Sequence, residues 1–425
     1  MRRFVYLGGG YDFMKADAAQ LNDWLMRIDT FNATPGEGTT RAVYTKEFYR
    51  AREYLKKEMQ DLGLEIHEDC VGNIYGEYKG RHPERPPVWT GSHIDTVPHG
   101  GRYDGMAGVF AALEVIRMMK SDGYQPKRSI FVNAYAGEEM SRFGMCCIGS
   151  RAIVGRIHQQ DLKDARNTAG ESIFDVLSHD GFEPERFNRD FSTKPRVHAS
   201  LELHIEQNRI LQDKGISVGI VTGICAPTNL RCEIHGIQSH AGGTSMEDRR
   251  DAFMASAEIA LALEHLAKAS DSEYITGTVG AMKLEPGAAN VIPGQADFSI
   301  DIRSISAQDK DDLVEALQGK IDEITRNRGV TYQLEQLNND TPYICSPRIR
   351  ELLHESAKEL ELPVLDMISG AYHDSLMLGD ITDAAMIFIP CKDGISHDRK
   401  ESIDMDDLAK GTDLLAATLR RLSEE

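Results

Sequence analysis

The segment TGSHIDTVPHGGRYDG sets His93 and Asp95 two residues apart at the end of an apolar run. In an extended strand such a pair points to one side, and the carboxylate can hold an imidazole in the tautomer a metal requires. Asp104 follows in a glycine-rich turn; read alone it is a helix cap, because an acid suits a helix N-terminus. Glu138 and Glu139 leave the run FVNAYA side by side and point apart, so one can bind a cation while the other activates water. His204, in LELHIEQ, reads alone as a packed core histidine. His373, in SGAYHDS, lies in a glycine-led loop beside another acid.

Together these residues make a different case. His93, Asp104, Glu139, His204 and His373 are separated by 11, 35, 65 and 169 residues, yet each closes a short strand or occupies a glycine-rich turn. Groups placed in that way converge on one edge of a sheet. Nitrogen and carboxylate donors without thiolates suit zinc, manganese, cobalt or nickel.

The elements that must position them follow from periodicity. Thr45 to Leu62 carries Phe48, Ala51, Leu55 and Met59 on one stripe and predicts a helix, with Thr45 as N-cap and Gly63 as its stop. LEIHEDCVGNIYGEY alternates like a hairpin. The runs PPVWTGSHID and RSIFVNAYAGEE read as buried strands, with a helical stretch, Gly108 to Lys120, between them. Strand, helix, strand with polar residues at the strand ends is the pattern of a parallel sheet, whose ligands sit at the carboxyl ends.

From about Ile216 the segments ISVGIVTGI, LRCEIHGI, ITGTVGAMKLE and ADFSIDIR alternate and flank helical stretches at Arg249 to Ala269 and Ala307 to Asn327. After Val330 come a helix (Ser346 to Leu360) and the strand AAMIFIP. The expected fold is an α/β catalytic domain with a mostly parallel central sheet, residues 1–213 and 330–425. An α+β domain with an antiparallel sheet, residues 214–329, is inserted into it.

Composition limits the partners. The chain has 425 residues, 67 acids against 48 bases and a net charge of −19. That balance argues against a nucleic-acid or anionic-membrane binder, which needs lysine and arginine facing phosphates. A local basic pocket for a small anion stays open. Seven cysteines without disulfide spacing or a CxxC suit a reducing cytoplasm. The N-terminal MRRFVYLGGGYDF is broken by glycines and has no small-residue cleavage site, so it reads as no signal peptide. No run of about 18 apolar residues exists to cross a membrane.

With these motifs in order, the sequence resembles the hydantoinase/carbamoylase branch of the zinc aminoacylase–carboxypeptidase superfamily. The resemblance runs from GTTRAVYTKE at Gly38 to GISHDRKE ending at Glu401. It rests on GSHIDTVPHGGRYDG, GEEMSRFG, HIEQ, SHAGGTSMEDRRDA, GAANVIPG, DIRS, GAYHDS and GISH. That branch holds N-carbamoyl-L-amino-acid hydrolases, allantoate amidohydrolases, β-ureidopropionases and ureidoglycolate amidohydrolases.

The resemblance implies two divalent ions per subunit, zinc first, with manganese, cobalt or nickel as alternatives. His93, Asp104 and His204 would hold one; Asp104, Glu139 and His373 would hold the other. Asp95 would orient His93, and Glu138 would be the general base. The inserted domain would act as a lid and pair two subunits into a homodimer. There His240 would reach the partner's active site to stabilise an oxyanion, while Gln207, Asn290 and Arg303 contact the substrate. A guanidinium at Arg303 suits a carboxylate through two parallel hydrogen bonds.

The implied activity is hydrolysis of an N-carbamoyl or related ureido acid such as allantoate. An N-acyl-amino-acid hydrolase or dipeptidase of the same superfamily is the alternative within enzymes. A catalytically silent binding protein is the alternative outside them, although the base and every expected ligand are in place. Met140 and Tyr372 stand where relatives often carry glycine, and Gly243 and Ser245 loosen the HAG segment. These departures bear on substrate identity.

Overall fold

The computed structural model describes residues 15–425, together with the backbone of a two-stranded ribbon, Phe4–Leu7 against Tyr11–Met14. The stretch MRRFVYLGGGYDF, on which the reading of no signal peptide rests, lies outside the fully described residues. The chain divides into two compact units. The first comprises Met1–Thr222, Cys345–Met367 and His373–Glu425; the second comprises Gly223–Ile344 and Ile368–Tyr372.

In the first unit, strands pair in the order Val218–Ile224, Ala384–Ile389, Ala199–Ile205, Val88–His93, Ile130–Tyr135, Ile74–Tyr78 and Glu65–Glu68. Four neighbours run parallel: Ala384–Ile389, Ala199–Ile205, Val88–His93 and Ile130–Tyr135. Residues of the second, third and first of these are buried without alternation, as expected of strands covered on both faces. Their shared direction brings His93, His204 and the turn after Tyr135 to one edge. The hairpin expected in LEIHEDCVGNIYGEY is present as Glu65–Glu68 against Ile74–Tyr78.

Helix Lys46–Asp61 buries Phe48, Ala51, Leu55 and Met59, and the Thr45 side chain accepts from the Phe48 N–H. Its stripe repeats every three to four residues, so burial of one face rather than propensity holds it. Helix Met106–Ser121 is apolar nearly all round and packs on strands Val88–His93 and Ala199–Ile205. It starts immediately after Asp104, through Gly105 at φ 73°. A Cβ at Gly105 would lie 2.5 Å from the His93 carbonyl oxygen, so the turn admits only glycine.

The second unit is a four-stranded antiparallel sheet in the order Ile275–Glu285, Gln295–Ser304, Ala226–His235 and Thr331–Asn339. Gln295–Ser304 alternates buried and partly exposed residues, so one face meets helices Ala252–Ala269 and Ala307–Arg328. Leu230, Ile234, Phe298, Ile300, Ile259, Leu263, Leu317 and Ile321 form that core. Each fully buried leucine or isoleucine there stabilises by about 1.5–3 kcal/mol.

Two sequence boundaries move. ISVGIVTGI, read as part of the inserted domain, supplies Val218–Ile224, which pairs with Ala384–Ile389 of the first unit's sheet. Thr331–Asn339, read as returning to the catalytic domain, is instead an edge strand of the second unit. Pairing decides both cases, and alternation alone does not report which sheet a strand joins.

Candidate metal centre

The parallel strands end in the candidate donors. His93 is the last residue of Val88–His93, and its Nδ1–H donates to the Asp95 carbonyl oxygen at 3.0 Å. That fixes the tautomer and leaves Nε2 facing Asp104, 3.7 Å from Oδ1. His204 repeats the arrangement: Nδ1–H donates to the Ile205 carbonyl at 2.9 Å, and Nε2 lies 3.0 Å from the same Asp104 oxygen. His93, Asp104 and His204 are buried and offer donor atoms within 4.8 Å of one another.

The Asp95 carboxylate does something other than the sequence reading gave it. Its nearer oxygen is 3.9 Å from His93 Nδ1. It accepts instead from the backbone N–H groups of Gly137 at 3.1 Å, Glu138 at 3.3 Å and Glu139 at 3.1 Å. One residue therefore ties the His93 strand end, through its carbonyl, to the turn carrying both glutamates, through its carboxylate. Glu138 is brought to 4.0 Å from His93 Nε2, and the Cys147 Sγ lies 3.9 Å from its other oxygen.

The second group differs from the expected one. Asp104 and Glu139 come together with His397, whose Nε2 lies 3.1 Å from Asp104 Oδ2 and 3.3 Å from Glu139 Oε1. His373 is not in that group. It sits against His204, ring centroids 4.5 Å apart, and joins His204 and Glu202 in a separate buried cluster. His373 caps the short helix Asp374–Leu378, which packs on strands Ala199–Ile205 and Ala384–Ile389 and so sets its ring beside His204.

His397 ends the motif GISH but lies in the polar stretch ISHDRK, where no apolar run marks it as a donor. The signal available was its position just beyond the carboxyl end of Ala384–Ile389, a strand parallel to the one bearing His204.

Nothing local marks Glu401 either. It is 5% exposed, and its Oε1 accepts from the backbone N–H groups of Tyr103 at 2.8 Å and Asp104 at 3.2 Å. Gln207, expected to touch substrate, donates through Nε2 to Asp104 Oδ2 at 2.9 Å.

The electrostatics ask for added positive charge. Burial alone would raise Asp104, but hydrogen bonding from His204, His397 and His93 outweighs it and holds the carboxyl well below its usual range. His397 is pushed up to about 11 by Asp104 and Glu139. Burial pushes Glu138 well above the ordinary carboxyl value; His93 opposes that, while Glu139, Asp374 and Asp104 add to it. Asp104, Glu138 and Glu139 each pair with histidine. Histidines and carboxylates gathered in this way are the donor set of divalent metal sites once the imidazoles give up their protons, so the residues present fit two cations.

His240, Asn290 and Arg303 belong to the second unit. His240 lies on the short strand Ser239–His240 paired with Val291–Ile292, and its Nδ1 accepts from the N–H groups of Gly242 and Gly243. The Ala241 N–H donates to the Asn290 carbonyl at 3.0 Å, which brings those two loops together. Arg303 donates through Nε to Asp301 at 2.9 Å and through Nη1 to the Gly370 carbonyl at 3.5 Å. Tyr372 donates to Asp340 at 2.8 Å, and Met140 is 51% exposed.

Residues 89–421 match peptidase family M20/M25/M40. Ureidoglycolate hydrolase of Oryza sativa subsp. japonica is 39% identical over 419 residues, 98% of this chain and 87% of that protein. N-carbamoyl-L-amino acid amidohydrolase of Geobacillus stearothermophilus is 34% identical over 400 residues, 94% of this chain and 97% of that one. The crystal structure of a hydantoinase/carbamoylase family amidase from Burkholderia multivorans superposes with a TM-score of 0.87 at 29% identity, covering 97% of this chain and 99% of that one.

Proposed function

Because the chain belongs to the hydantoinase/carbamoylase branch of peptidase family M20/M25/M40, we propose that its substrate is a small ureido acid bearing a carboxylate, ureidoglycolate first. The reaction class is metal-dependent hydrolysis of a ureido or carbamoyl C–N bond. The choice of ureidoglycolate is supported by the 39% likeness over nearly the whole chain, against 34% for the carbamoyl-amino-acid enzyme.

The observation that carries the mechanism is Glu138, a largely buried carboxylate 4.0 Å from His93 Nε2 whose backbone N–H is held by Asp95. His93, Asp104 and His204 would hold one divalent ion, and Asp104, Glu139 and His397 the other. When bound, the two ions lower the pKa of water and polarise a carbonyl. Glu138 takes the proton of the attacking water and returns it to the departing nitrogen. One water is consumed, and ammonia, carbon dioxide and the free amine leave. Arg303 would grip the substrate carboxylate, with His240, Asn290 and Gln207 as further contacts. Zinc is the ion we favour for nitrogen and oxygen donors of this kind.

Assembly and setting are part of the same proposal. Phe253, Met254 and Leu261 are exposed on helix Ala252–Ala269 of the second unit, which supports a homodimer through that unit. Light scattering on wild type and Leu261→Glu tests it: a dimer that becomes monomeric is expected. Seven cysteines without disulfide spacing support a cytoplasmic protein. No helix among the described residues is long and apolar enough to cross a membrane.

The experiment for the reaction is ammonia release by metal-reconstituted protein from ureidoglycolate, allantoate and N-carbamoyl-L-amino acids. Ureidoglycolate is expected to turn over with the highest kcat/KM. Turnover of N-acyl amino acids alone, releasing amine without ammonia, would overturn the ureido assignment.

A further inference from the structure

Asp104 is shared by both donor groups, so whatever fixes its two oxygens fixes the division between them. Oδ1 faces His93 and His204, whereas Oδ2 faces His397, Gln207 Nε2 and the Ser396 hydroxyl at 3.2 Å. The Ser396 hydroxyl also lies 3.0 Å from Glu401 Oε2. The other Glu401 oxygen holds the backbone N–H groups of Tyr103 and Asp104. Glu401 thus grips the backbone of the Asp104 turn with one oxygen and the loop carrying His397 with the other.

Two further observations show that the contact is built rather than incidental. A Cβ at Gly101 would fall 1.9 Å from the Glu401 carboxyl carbon, so the turn is glycine where Glu401 enters it. The Glu401 N–H donates to the Asp398 carbonyl at 2.9 Å, closing the loop directly after His397. His397 itself has φ 57° and a side chain 49% exposed, so little packing holds it in place.

We infer that Glu401 and Ser396 form a latch that positions Asp104 Oδ2 and His397, and that this latch sets the affinity of the Asp104–Glu139–His397 site more than that of the other. The inference rests on the two-ion reading above. Both are positioning residues: neither is among the clustered donors. Outer partners of this kind change metal affinity by about 10–100-fold.

The test is manganese titration of metal-free protein, reading two dissociation constants by calorimetry and the bound stoichiometry by elemental analysis. Wild type is expected to bind two ions per subunit. Glu401→Gln and Ser396→Ala are expected to weaken one of them about 10–100-fold while the other changes less than about tenfold. Ser396→Thr, which keeps the hydroxyl, is expected to restore the loss. Equal weakening of both ions, or no change in either, overturns the latch. Fewer than two ions on wild type overturns the two-ion reading and the latch with it. Ser396→Ala removes only a hydroxyl, so it keeps the test decisive should Glu401→Gln unfold.

Discussion

His93 and His204 close buried parallel strands, and Asp104 stands at the start of a buried helix; their side chains are 2%, 0% and 5% exposed. Glu139 and His397 occupy turns, and His397 is half exposed. The two donor groups share Asp104 yet differ in how they are built. A group anchored on a sheet has less freedom left to lose than a group carried on loops. The comparison yields an expectation: the strand-anchored group should bind its ion more tightly than the loop-borne group.

The largest expected effect concerns Glu138, the base proposed above. Glu138→Gln should lower kcat by about 10²–10⁴-fold while both ions still bind, as judged by steady-state ammonia release and elemental analysis. Retained kcat would remove Glu138 from the mechanism. Next, His204→Ala should weaken the strand-anchored ion more than about 100-fold, since even loss of an outer partner costs about 10–100-fold. His397→Ala should weaken the loop-borne ion about 10–100-fold and leave the strand-anchored one bound, because water can replace a half-exposed imidazole. If these two variants lose the same ion, the comparison fails. The smallest effect is for His373→Ala, which should still bind two ions; loss of one would reinstate His373 in place of His397.

The parts of this site legible in the sequence are those tied to strand ends. His93, Asp104, Glu139 and His204 could be found because each ends an apolar run or opens a helix, and periodicity reports such boundaries. His397 was hidden by its setting, a polar stretch with no strand of its own. Asp95 was noticed for its spacing from His93, but its carboxylate faces three backbone N–H groups that only the folded turn brings within reach.

The fold shows the same limit. Helices Lys46–Asp61 and Ala307–Arg328 lie within a residue or two of their expected bounds, because caps and stripes are local. The assignment of Val218–Ile224 and Thr331–Asn339 to their sheets depended on partners far away in the chain. Tyr372, flagged only as a departure from glycine, has its hydroxyl on Asp340, a pairing no local pattern announces.

The order of the donors along the chain has a consequence during synthesis. His93, Asp104 and His204 have all left the ribosome 193 residues before His397 does. At ~5–20 residues per second that interval is about 10–40 s. A growing chain therefore carries the strand-anchored donors for a period in which the loop-borne group does not yet exist. A centre filled on the nascent chain would therefore take its strand-anchored ion first.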